Sequence, residues 1–255
     1  MNELEDIRKR SLIAIMAYLI LYVVMGSIIT LVLIKVFETD IYDYTTIQNA
    51  ISTVSGDRTL DRIAAKINTW TMVLIYLPLS VVLITVMFKD LKEDFVSLKE
   101  KNYIYYIVMI ISAIAFFFIS FGISKISTHF VGQSQNEKVL ESVFEYKGLG
   151  VIMLLITSIC GVIVEELIYR KAIFNLLKDK NRWIPILVST IMFALPHVIS
   201  TTNVGVSDFI IICIPYFIAA FIFAISYEFS GRNIYFTISM HFLNNFITCM
   251  ILLCN

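Results

Sequence analysis

The chain has 255 residues, of which 58% are hydrophobic and only 16% charged, against roughly a quarter charged in soluble domains. A globular core of this size cannot bury that much apolar surface, so a soluble domain is excluded and a bilayer is implied. Lys and Arg balance Asp and Glu at 20 each, and no basic stripe with interleaved aromatics marks a nucleic-acid partner.

Apolar runs long enough to span about 30 Å of hydrocarbon recur along the chain. In order they cover residues 11–35, 69–88, 103–122, 148–168, 183–199, 209–229 and 233–253. The expected fold class is all-α: a polytopic transmembrane helix bundle of about seven spans, multi-pass in a cell membrane. The first run follows Arg8, Lys9 and Arg10, as in a signal peptide. It is too long for a signal-peptide core and lacks a small-residue cleavage site, so it is read as a retained anchor. With the N-terminus inside, thirteen of the twenty Lys and Arg residues fall in inside segments, the bias that cytoplasmic loops carry. The loops near 37–68 and 124–147 are then extracytoplasmic, polar, and suited to short amphipathic helices. Two regions follow: 1–147 with about three spans and their loops, and 148–255 with about four.

An ionisable side chain inside a span costs roughly 2.5 kcal/mol or more, which makes it a functional-site hypothesis. The first three spans hold almost none. The fourth ends GVIVEELIYR, with Glu165 and Glu166 adjacent and Arg170 four residues after Glu166. That spacing allows a Glu166–Arg170 ion pair on one helix face, with Glu165 turned about 100° away. The fifth span carries FALPH, in which His197 follows Phe193 at i+4 and Pro196 is expected to bend the helix. The seventh carries MHFLNNF, with His241 and Asn245 at i, i+4 and Asn244 pointing elsewhere. Alternating topology brings Glu165, His197 and His241 toward one layer of the bilayer. A carboxylate and a histidine on one water share its activation as general base, and further His and Asn donors stabilise an oxyanion.

EExxxR, FxxxH and HxxxN on successive hydrophobic segments resemble the CAAX-protease and bacteriocin-processing (Abi) family of intramembrane glutamic endopeptidases. The resemblance covers roughly residues 148–253. It implies hydrolysis of a peptide bond in a membrane-associated peptide or protein, with Glu165 and His197 activating water. It likewise implies His241 and Asn245 as oxyanion or substrate-orienting groups, and Glu166 and Arg170 as orienting and electrostatic support. The expected partners are the bilayer and that membrane-associated substrate.

Other readings remain at this level. Glu165, His197 and His241 also suit a two-histidine, one-carboxylate zinc site, although HExxH spacing is absent; no cofactor is expected, with zinc as the alternative. A non-catalytic immunity or scaffold protein would keep the site idle, and an ion-coupled transporter would also bury polar groups. Cys160, Cys213, Cys249 and Cys254 lie in or beside apolar runs without CxxC spacing, as small buried hydrophobes do. His129 is expected in a solvated loop, and Glu228 to pair with Arg232 at i+4 or to snorkel.

Overall fold

In hydrocarbon every backbone N–H and C=O must find its partner within the protein, so apolar runs of this length fold as helices. The structure, a computed structural model, describes residues 3–199 and 204–254. Among the described residues there are ten helices and no strand. They are α1 Leu4–Phe37, α2 Tyr44–Ser52, α3 Arg58–Val86, α4 Phe88–Lys99 and α5 Tyr103–Val131. The second half adds α6 Gln135–Phe144, α7 Lys147–Leu176, α8 Trp183–Val198, α9 Val206–Phe229 and α10 Ile234–Cys254. Six of them (α1, α3, α5, α7, α9 and α10) are long and apolar enough to cross a membrane. The seventh apolar helix, α8, has only 16 residues, a rise of about 24 Å.

Polar caps mark where several helices begin. Asp57 accepts the Thr59 and Leu60 amides at the start of α3, Asn102 caps α5, and Ser134 with Glu137 forms a capping box on α6. Each satisfies amides that a first helical turn leaves open. The Tyr42 hydroxyl, followed by those two amides, holds the Asp57 carboxyl below the usual carboxylate range. The loops expected to carry amphipathic helices do so, as α2 and α6. The second span starts well before the apolar run at 69, because Leu60, Ala64 and Ile67 pack on Ile34, Ile47 and Ala50 from α1 and α2.

Polar contacts tie the helices together at two ends of the bundle. At the N-terminal end, Arg8 pairs with Asp179, and Arg10 Nε donates to Asp90 at 2.7 Å. The charged helix α4, between the second and third apolar runs, lies at this end and receives the other elements. Lys171 Nζ lies 2.7 and 2.6 Å from the two Asp94 carboxylate oxygens. The Ile234 amide adds a bond to the Asp94 carboxylate at 3.0 Å, and the Asn233 side chain donates to the Asp94 carbonyl at 2.8 Å. The turn from α9 to α10 is tight enough to put Gly231 and Arg232 at φ 79° and 60°, and Arg232 Nε donates to Glu228 at 2.8 Å as the i+4 spacing predicts. At the opposite end, the Tyr146 hydroxyl donates to the Arg58 carbonyl at 3.0 Å, and Gln135 on α6 donates to the Ser52 carbonyl at the end of α2.

The larger of two apolar clusters joins α1, α3, α5 and α7 to α10. Outward faces are apolar too: Ile104, Ile107, Ile110, Ile111, Ile114 and Phe118 of α5 are all exposed. An exposed apolar surface of this extent is a lipid-facing one.

Asp94 holds one buried cation and one helix N-terminus, so Asp94→Asn is expected to lower stability by about 1.5–3 kcal/mol, the range for hydrogen bonds to charged groups. A thermal midpoint in detergent checks this; an unchanged midpoint would show that α4 adds nothing to the bundle.

Candidate active site

The polar residues of the second half converge at the centre of the core. Around Glu165 the helix α7 is locally widened, with i→i+5 turns over Ile156–Gly161 and Glu166–Ala172; such turns are frequent at functional sites, and α1 carries one over Leu19–Met25 as well. Glu166 is fully buried, and its Oε1 lies 3.3 Å from the Arg170 guanidinium. The expected i, i+4 pair is therefore formed, but inside the protein and not at a helix end in water. Arg170 lies between two aromatic faces, 4.3 Å from the Phe193 centroid and 5.1 Å from that of Phe223. Its remaining contact is a 3.3 Å bond to the Ala220 carbonyl. The phenyl faces and the carboxylate together compensate a cation that no water reaches.

His241 of α10 bridges the two glutamates. Its Nδ1 is 2.9 Å from Glu166 Oε1 and its Nε2 is 3.6 Å from Glu165 Oε2, while its ring stacks on Phe223 at 4.7 Å. A carboxylate only accepts, so the Nδ1 carries the proton and donates to Glu166. The Nε2 faces Glu165 at a distance longer than a hydrogen bond, so only Nδ1 is committed to a glutamate. The Glu165 side chain keeps some exposure, 15%, and its Oε1 accepts from the Tyr76 hydroxyl at 3.4 Å.

His197 reaches the same cavity from the last turn of α8. The helix continues through Pro196 to Val198, and His197 Nδ1 lies 2.9 Å from the Phe193 carbonyl. That contact again places the proton on Nδ1 and leaves Nε2 as the basic nitrogen. The ring is held between Phe193 and Tyr216, with centroids 5.0 and 5.3 Å away.

Glu165, His197, His241 and Asn245 all line one cavity of about 390 Å³ within the bundle. Asn244, expected to point elsewhere, also lines it and donates to Asn245 Oδ1 at 3.3 Å. That bond turns the Asn245 amide nitrogen away, free to donate. The first half of the chain, which read as polar-free, contributes a tyrosine wall. Tyr22 packs on Tyr18 and Tyr76 at 5.0 and 5.6 Å, and the hydroxyls of Tyr18 and Tyr169 meet at 2.8 Å. Tyrosines in a span read as packing, and only the bond from Tyr76 to Glu165 separates this one from the rest.

Among the described residues no three His, Cys, Asp or Glu side chains are grouped to hold a metal ion, and the four cysteines are unpaired. His129 is exposed at the end of α5, not in a loop, and lies outside the cavity.

Residues 147–247 match the family model described as type II CAAX prenyl endopeptidase Rce1-like. No curated protein and no solved structure matches the chain. The matched segment holds α7, α8, α9 and most of α10, and with them every motif residue from Glu165 to Asn245. The segment that carries these motifs is thus similar to the Rce1-like endopeptidases, in agreement with the family that the three motifs resemble.

Proposed function

We propose that this protein is a multi-pass intramembrane endopeptidase that hydrolyses a peptide bond in a membrane-associated peptide or protein. One observation carries the reading: a carboxylate, a basic imidazole nitrogen and a free carboxamide, from three different helices, face one cavity inside the bundle. Their convergence needs a reason, because polar groups within membrane spans are costly.

A water between Glu165 and His197 Nε2 loses a proton to this pair as its oxygen attacks the peptide carbonyl carbon. The carbonyl oxygen becomes an oxyanion and accepts from the Asn245 amide, with Asn244 fixing that amide's orientation. The captured proton then passes to the leaving nitrogen as the C–N bond breaks, which frees a carboxylate and an amine. His241 is anchored on Glu166 through Nδ1 and places its ring beside Glu165. Glu166 and Arg170 set the position of His241. Aromatic walls exclude bulk water, so these few dipoles act at low dielectric.

The test is proteolysis in proteoliposomes on a panel of membrane-anchored peptides. His197→Ala is expected to lower kcat about 100-fold or more, the lower range for a positioned general base, with KM nearly unchanged. Retention of full kcat by His197→Ala and by Glu165→Gln would overturn the assignment. Absence of cleavage by the wild type on every peptide would instead favour a non-catalytic membrane role.

A further inference from the structure

We propose that the peptide enters from the α6 end of the bundle, so that the enzyme serves substrates presented on the extracytoplasmic face. This rests on the proteolytic reading above, and three observations of the cavity's shape carry it.

The cavity is a shaft, not a sphere. Its floor is Glu165, Tyr169 and His241. Its walls rise along α3, α5 and α10, through Asn68, Ser124 and Thr248, to Asn136 and Glu137 on the underside of α6. Among the described residues, none from α4, from the α7–α8 connection or from the α9–α10 turn lines it.

Below the floor, toward the N-terminal end, the bundle is sealed. Leu83, Met87, Leu167, Phe174, Tyr227 and Ile234 form a layer no more than 1% exposed. Beneath that layer the Arg10–Asp90 and Lys171–Asp94 pairs tie α1, α7 and α4 together. Opening this end would expose a packed apolar layer and break both of these largely buried ion pairs.

The α6 end is built differently. Polar side chains surround the mouth, where the start of α6 is held by hydroxyl contacts while Val143 and Phe144 at its end pack into the core. Ser134 meets the Tyr216 hydroxyl at 2.9 Å, and Ser124 donates to Glu137 at 2.8 Å. Bonds of this kind exchange readily with water. An incoming peptide backbone finds hydrogen-bonding groups at the rim, then the aromatic shaft, then the glutamate. The Lys and Arg distribution places the α6 end outside, since thirteen of twenty cations belong to segments at the opposite end.

Thiol labelling of the full chain tests the route without relying on activity. Cys160, Cys213, Cys249 and Cys254 are replaced by alanine, and single cysteines are introduced as Asn136→Cys at the mouth, Asn244→Cys in the shaft and Lys180→Cys at the sealed end. A small, charged, membrane-impermeant thiosulfonate is applied to intact cells and to inverted vesicles. Asn136→Cys and Asn244→Cys are expected to react in cells, and Lys180→Cys only in inverted vesicles. Reaction of Asn244→Cys from the Lys180 side, or from neither side, overturns the route; reaction of Asn136→Cys only in inverted vesicles overturns the orientation. In parallel, wild-type protein is offered anchored peptides whose cleavable segment lies on one side or the other. Cleavage confined to the extracytoplasmic segment agrees with the proposal, and cleavage confined to the cytoplasmic segment overturns it. Expected labelling with no cleavage of either peptide removes the proteolytic reading while the access route stands.

Discussion

Glu165→Gln is expected to lower kcat for a cleaved membrane peptide by about 10²–10⁴-fold, the usual contribution of a positioned general acid–base group. The substitution keeps the shape of the side chain and its bond from Tyr76, so it removes the proton acceptor and little else. The thermal midpoint should stay close to that of the wild type, because Glu165 is the partly exposed member of the glutamate pair. Kinetics and melting on the same preparation separate chemistry from folding. A variant that melts normally and cleaves at the wild-type rate would show that Glu165 is not the base. One that fails to assemble would mean that Glu165, like its neighbour, is structural.

For Arg170→Met the expectation is the reverse: a large loss of stability. The substitution leaves Glu166 fully buried with His241 as its remaining ionisable partner. Breaking one side of a buried ion pair costs about 3–5 kcal/mol, which lowers the melting temperature of a chain this size by roughly 6–20 °C. Adding Glu166→Gln removes the stranded charge, so the double variant should recover much of the loss, and the shortfall from additivity measures the coupling. Fluorescence of Trp70 and Trp183 in detergent reports the transition. Additive losses would mean that the aromatic faces of Phe193 and Phe223, and not the carboxylate, hold the guanidinium.

The spans, the alternating ends and the motif residues are legible in the sequence because they depend on local properties. Apolar length reveals a helix in lipid, and a charge within that length reveals a buried polar site. Contacts between distant segments are not legible in this way. Tyr76 looks like any aromatic in a span until it is found beside Glu165, 89 residues later in the chain. The i, i+4 rule foresees the Glu166–Arg170 pair, but not the widening of α7 that begins at Glu166. Asn244 escapes for the same kind of reason: face assignment on α10 cannot foresee its bond to Asn245. Likewise α4 falls between two apolar runs, and nothing local shows that its Asp90 and Asp94 pair with residues far away in sequence.

The bridging place of His241 bears on how the protein comes into being. Helices enter the bilayer in the order of synthesis, and α10 follows α1 to α9. Before it docks, both glutamates and Arg170 are already in the membrane, but the imidazole that spans them and the two carboxamides are not. On the proposed reading, a partly inserted chain holds Glu165 without His241 and without the Asn245 amide. Under the proposed mechanism, hydrolytic competence would therefore come only with the docking of α10.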